Sequence, residues 1–157
     1  MVDAMDKPAS ETFMAQALAE ARAAANRGEV PVGAVVVDTQ TGAVLARAGN
    51  ETEAGPDPTA HAEVLAIRRA AAAKGTARLT DCDLYVTLEP CAMCAAAISH
   101  ARIRRLYFGA YDPKGGGVEH GPRFFAQPTC HHAPEVIGGV METKASDLLK
   151  AFFKERR

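Results

Sequence analysis

Two apolar runs near the start of the chain, Val32–Asp38 and Ala43–Ala48, are separated only by the turn residues Thr39–Gly42 and read as a β-hairpin. Downstream of it the pattern alternates between helix and strand. A hairpin pairs its strands antiparallel, whereas strand–helix–strand repeats favour parallel pairing. A sheet that holds both is mixed, and helices must cover its apolar faces. The chain is therefore expected to be α/β, with a layered sheet that is not wholly parallel.

The remaining elements follow from periodicity and punctuation. Met14, Ala17, Leu18, Ala21 and Ala25 form one helical stripe, which predicts a helix over Glu11–Asn26, capped by Ser10 and stopped by Gly28. Asn50–Pro58 is loop. Thr59 is the expected N-cap of a helix that runs to about Lys74. Asp83–Leu88 reads as a third strand, Cys91–Ser99 as a helix with Pro90 near its start, and Arg104–Gly109 as a fourth strand. Tyr111–Pro134 is a long loop with some helix in it, Glu135–Val140 a short fifth strand, and Ser146–Arg157 a last helix. With 157 residues and neither a repeat nor a linker, residues 1–157 are expected to form a single domain.

Charge and hydropathy exclude some functions. A net charge of −1 and a pI near 6.5 argue against a protein that coats nucleic acid through many phosphate contacts. Two local basic groups remain: Arg102, Arg104 and Arg105, and the C-terminal Lys150, Lys154, Arg156 and Arg157. Met1–Ser10 has three charges of mixed sign and no apolar centre, unlike a secretory signal. No stretch approaches the roughly 20 apolar residues of a membrane span. The expectation is a cytoplasmic protein with reduced cysteines and no membrane partner.

Cys91 and Cys94 form a Cys-x-x-Cys at a predicted helix start, where both sulfurs can face one ion and the helix end favours thiolates. Alone, that motif suits a redox pair, half of a structural zinc site or two buried thiols. Cys82 and Cys130 have no partner at comparable spacing, and Cys130-His131-His132 reads as a polar loop. His61-Ala62-Glu63, upstream of Pro90-Cys91-Ala92-Met93-Cys94, completes the His-x-Glu … Pro-Cys-x-x-Cys signature of zinc nucleobase deaminases. Three protein ligands leave zinc a position for water. Glu63, not expected to ligate, is then the proton carrier. Residues two apart diverge on a regular helix, so His61 and Glu63 can share a site only in an irregular first turn, where Thr59 as N-cap would put them.

Thr59-Ala60-His61-Ala62-Glu63, Leu84 to Cys94 and Phe108-Gly109-Ala110 closely resemble the bacterial tRNA-specific adenosine deaminases, within the wider cytidine/deoxycytidylate deaminase superfamily. The resemblance runs from about Glu29 to Phe153. It implies a three-layer α/β/α sandwich around a five-stranded mixed sheet, one Zn²⁺ held by His61, Cys91 and Cys94, and a homodimer. The implied reaction is hydrolysis of the wobble adenosine of a tRNA anticodon to inosine. By the same resemblance Asn50 hydrogen-bonds the base, Asp112 and Lys114 meet the neighbouring ribose and backbone, and Phe153 and Arg157 meet the anticodon stem-loop. Ala62 falls among the substrate-binding residues as well. Gly115–His132 departs from the family pattern. The alternatives are a deaminase of a free nucleobase or nucleoside, of the guanine or cytosine class, and a non-catalytic RNA-binding subunit.

Overall fold

The computed structural model describes residues 6–156. Helix α1 (Asp6–Asn26) precedes the hairpin β1 (Gly33–Asp38) and β2 (Val44–Gly49). Then come α2 (Ala62–Lys74), β3 (Cys82–Leu88), α3 (Ala92–His100) and β4 (Arg105–Ala110). A short 3-10 turn at Phe124–Ala126 interrupts the long loop before β5 (Glu135–Ile137) and α4 (Glu142–Glu155). The five strands lie in the order β2-β1-β3-β4-β5. β1 pairs antiparallel with both β2 and β3, and β4 pairs parallel with both β3 and β5. The sheet is mixed for the reason the early hairpin implied.

Strand alternation divides the core between two helical layers. Val35, Val37, Tyr85 and Tyr107 point to one face and pack with Met14 and Ala17 of α1, while Ala110 joins Leu18 and Ala145, which brings in α4. Ala34, Val36, Leu84, Val86, Leu106 and Phe108 point to the other face, against Ala62, Ala66 and Ala70 of α2 and Ile98 of α3. Every residue of β1 is buried, as befits a central strand covered on both sides. At the start of β1, α1 lies so close that a Cβ on Gly33 would collide with the Ala17 carbonyl oxygen, so only glycine fits. The expected α/β/α sandwich is the architecture found.

Several boundaries differ from expectation. Ser10 is not a cap: α1 begins at Asp6 and Ser10 is buried within it. Pro8 lies in the first turn, where a missing N–H has no intrahelical acceptor to lose, so it does not delay the helix. Thr59 does not cap α2 either. Its N–H and hydroxyl both bond to Asp57 Oδ1, at 2.9 and 2.7 Å, in a turn that closes before the helix starts. Helix α4 begins at Glu142, earlier than the Ser146 expected, and β5 stops at Ile137 rather than Val140. Among the described residues no helix is long and apolar enough to cross a membrane.

Candidate metal and substrate site

The N-termini of α2 and α3 meet at the end of the sheet where β3 and β4 finish and β1 begins, the edge at which α/β sheets characteristically bind ligands. His61 is the N-cap of α2 and Cys91 the N-cap of α3. Both have extended backbone (ψ 148° and 175°), and neither side chain caps its own helix, so each turns away from its axis and into the gap between the two. Cys94, buried in the first turn of α3, faces the same gap. His61 Nδ1 lies 3.6 Å from Cys91 Sγ and 3.5 Å from Cys94 Sγ. The three donor atoms all fall within 4.8 Å of one another and form the one such group of three among the described residues.

The electrostatics of the group favour a cation. The Cys94 thiol hydrogen-bonds Cys91, which pulls the Cys91 thiol down to about 4 and, with burial, pushes Cys94 up. The same Cys91 sulfur raises the His61 imidazole against the opposing effect of burial. Two thiolates with one imidazole suit zinc, which would satisfy all three donors together. Three protein donors leave a tetrahedral ion one position for water or substrate.

Glu63 is the second residue beyond His61, yet both face the same cavity. With His61 extended at the cap and Glu63 in the first turn, the divergence of a regular helix does not apply. The Glu63 side chain is buried, and burial is the main reason its carboxyl is pushed up to about 7; the nearby Cys91 sulfur adds to it. Asn50 completes this corner. Its Oδ1 accepts the Ala62 N–H at 2.8 Å, so Asn50, distant in sequence, supplies the α2 cap that had been expected of Thr59. Its own N–H donates to the Val32 carbonyl at 3.1 Å, tying the corner to the entry of β1.

A cavity of ≈ 300 Å³ opens over these groups, lined by Asn50, Thr52, His61, Glu63, Cys91 and Asp112 among others. Asp112 Oδ1 accepts the N–H groups of Lys114 and Gly115 at 3.2 and 2.9 Å and shapes that wall. Ala62 is buried and presents its N–H to Asn50, not to the cavity. Lys114 is exposed beside the rim and is not among the lining residues. Phe153, 47% exposed, lies outside the cavity in a neighbouring hollow of ≈ 470 Å³ shared with Tyr111, Lys150 and Lys154. Arg157 lies outside the described residues.

Other candidates resolve into structural contacts. Arg104 pairs with Asp83 through Nε and Nη2 at 2.9 and 2.8 Å, and Arg105 pairs with Glu135 at 2.7 Å, so two of the three arginines of that basic group are neutralised locally. Cys130 bonds the His132 carbonyl at 3.2 Å, and His132 Nε2 meets the Ile103 carbonyl at 2.7 Å, which stitches the long loop to the body. Sequence reasoning passed over two buried carboxylates, Glu29 behind the cavity and Glu89 among its lining residues. A lone glutamate has no spacing to betray it; the one available signal was an acidic residue inside otherwise apolar surroundings.

Comparison with known proteins agrees with this geometry. The family model for the cytidine and deoxycytidylate deaminase zinc-binding region matches residues 7–110. The chain is 61% identical over 145 residues to the tRNA-specific adenosine deaminase of Agrobacterium fabrum, covering 92% of this chain and 94% of that one. A solved structure from work on A-to-I editing by tRNA:A34 deaminases at the wobble position superposes with a TM-score of 0.85 at 61% identity, over 88% of this chain and 99% of that one. A guanine deaminase from Bacillus subtilis is more distant: 43% identity and a TM-score of 0.61, over 64% of each chain.

Proposed function

This chain belongs to the cytidine and deoxycytidylate deaminase family, and from that membership we propose that it hydrolyses the wobble adenosine of a tRNA anticodon to inosine and ammonia. The observation that carries the reading is the convergence of His61, Cys91 and Cys94 beside the buried Glu63 at the floor of one cavity. The relatives decide between substrates. The tRNA-directed enzymes reach 61% identity over nearly the whole chain, whereas the Bacillus subtilis guanine deaminase reaches 43% over part of it, and this difference in identity favours tRNA over a free base.

His61, Cys91 and Cys94 hold the zinc ion, one per chain. When bound, zinc lowers the pKa of water toward 7 and so supplies a nucleophile at neutral pH. Glu63 moves the protons: its carboxyl, held near 7, can take one proton from the attacking water and pass it to the ring nitrogen, then take the water's second proton and pass it to the departing amine. Burial keeps that exchange away from bulk water. Asn50, anchored by the Ala62 N–H, orients the base, and Asp112 meets the adjoining nucleotide. A cavity of ≈ 300 Å³ takes one base and not a duplex, so the adenosine must be turned out of its stack, which costs least in an unpaired loop.

Outside the cavity, the exposed rings of Tyr111 and Phe153 with Lys150 and Lys154 offer stacking faces and positive charge to the rest of that loop. This reconciles a weakly acidic chain with an RNA substrate. Lys114 contributes a backbone contact, and Arg157 meets the anticodon stem-loop together with Phe153. The enzyme works as a homodimer in the cytoplasm, residues 1–157 forming one domain per protomer. The apolar groove between α2 and α3, lined by Val64, Ile67, Ala71 and Ala97, favours a second protomer as its cover.

The test is product analysis. Zinc-loaded protein incubated with a tRNA bearing a wobble adenosine yields inosine, while free guanine, cytosine and adenosine are left unchanged. No inosine from fully metallated protein would reject the function, and turnover of a free base would reinstate the alternative. Sedimentation equilibrium tests the dimer.

A further inference from the structure

We infer that Glu29 and Glu89 are positioning residues that fix two stretches of the cavity rim through their buried carboxylates. The inference rests on reading that cavity as the substrate site. Glu29 is 1% exposed and Glu89 2%. Glu29 lies between α1 and β1, and Glu89 directly follows β3, so both leave the rigid core at the end of the sheet that holds the site. Each reaches back to a loop distant in sequence.

The Glu29 carboxylate accepts the Glu53 N–H at 3.1 and 3.2 Å, the Ala54 N–H at 3.0 Å and the Thr52 hydroxyl at 3.3 Å. Glu89 Oε1 accepts the Asp112 N–H at 3.0 Å and meets His120 Nδ1 at 2.8 Å. Glu89 Oε2 accepts from the backbone of Val118, Glu119 and His120 at 3.3, 2.9 and 3.2 Å. Burial would raise the Glu89 carboxyl, but these donors outweigh it and hold it below the usual carboxylate range. Thr52 and Asp112 are themselves cavity-lining residues. Each clamp therefore ends on a wall of the site.

Burying a carboxylate is costly unless its oxygens are fully paired, and here the pairing is almost wholly with main-chain N–H groups of loops. Only an anion with two acceptor oxygens satisfies such a cradle. A glutamine would turn an NH₂ group toward N–H donors. Glu89 lines the cavity itself, but the oxygens of both carboxylates are engaged by these donors, so their effect passes through the rims.

The experiment uses the zinc-loaded full chain with Glu29→Gln, Glu89→Gln and the milder His120→Ala, which removes one donor from a partly exposed side chain. Hydrogen exchange followed by mass spectrometry reports each rim without reference to activity. Glu89→Gln should speed exchange across 112–120, and Glu29→Gln across 52–54, each leaving the other rim protected. With the tRNA substrate, KM should rise about tenfold in each glutamine variant and two- to threefold in His120→Ala, with kcat and the zinc content unchanged. Glu89→Gln combined with Asp112→Ala should be no worse than the more severe single variant. Unchanged exchange at the rims, a fall in kcat at constant KM, loss of zinc, or additive effects in the double variant would each overturn the proposal. If the parent protein makes no inosine, the proposed function fails while the exchange data still decide the clamps. Should a glutamine variant fail to fold, exchange and KM in His120→Ala decide it.

Discussion

The metal end and the substrate rims of this cavity are built by different means. At the metal end, three donors sit within one turn of two helix starts, so local backbone geometry alone aims them at a common point. At the rims, the residues that line the cavity are loop residues with no regular structure, held by carboxylates 23 to 31 positions away in sequence. Rigidity at the first is a property of secondary structure. At the second it is a property of tertiary hydrogen bonds, and such regions are the ones that open first. A change at the metal end should therefore remove the chemistry outright, and a change at a rim should weaken substrate fit and leave the chemistry in place.

Cys94→Ala attacks the comparison where the effect is largest. Two donors cannot hold zinc as three do, so zinc content should fall from about one per chain toward none and inosine formation should fall to background. Metal analysis and product assay on the same sample check it. Retained zinc with retained turnover would remove Cys94 from the ligand set. Glu63→Gln separates metal from proton transfer: it keeps the shape and loses the acid–base group. Turnover should drop about 10²- to 10⁴-fold with zinc content unchanged. The melting temperature should not fall, because a carboxylic acid buried enough to titrate near 7 is not a source of stability.

The same contrast explains what could be read from the sequence. The hairpin, the alternation after it and the His-x-Glu … Pro-Cys-x-x-Cys spacing are local patterns, and they gave the sheet, its mixed sense and the zinc ligands. Boundaries failed where a local signal had a tertiary competitor. Thr59 looked like the α2 cap, but Asp57 takes its hydroxyl and Asn50 caps the helix from 12 residues upstream of Ala62. No periodicity marks that exchange. Glu29 and Glu89 were invisible for a related reason: their donors are mostly backbone N–H groups, which every residue but proline carries, so little at the far end announces the contact. The Arg104 and Arg105 pair could be read as a basic patch or as ordinary strand-edge charges, and the acidic partners Asp83 and Glu135 on neighbouring strands favour the second.

Gly116→Ala tests the rim side at intermediate magnitude. The added Cβ would run into Glu89 Oε2 and the Asp112 carbonyl, with no flexible group available to yield. Overpacking of this kind costs about 1–3 kcal/mol. Relief comes from lifting the 112–120 loop off its clamp, so KM for the tRNA should rise by about five- to 150-fold while zinc stays bound. Lost zinc would mean that the loop supports Cys91, through the Gly117 N–H to Pro90 carbonyl bond at 2.8 Å, and that the two regions are one unit.

The smallest effect expected is that of Thr52→Val, and its size is informative. The substitution deletes the Thr52 hydroxyl's bond to Glu29, which at 3.3 Å is long, and it keeps a side chain of nearly the same volume. Glu29 retains the N–H groups of Glu53 and Ala54, so no buried charge is orphaned. The loss should be at most about 1 kcal/mol, which for a chain of this size shifts the melting temperature by about 2–4 °C. Since Thr52 faces the cavity, a methyl in place of the hydroxyl should change KM by less than about fivefold and kcat not at all. A calorimetric scan and a substrate titration measure both. A hundredfold loss would show that the hydroxyl touches the substrate directly and that this rim reads the nucleotide as well as enclosing it. A small loss leaves the carboxylate, not the loop side chain, as the holder of this wall.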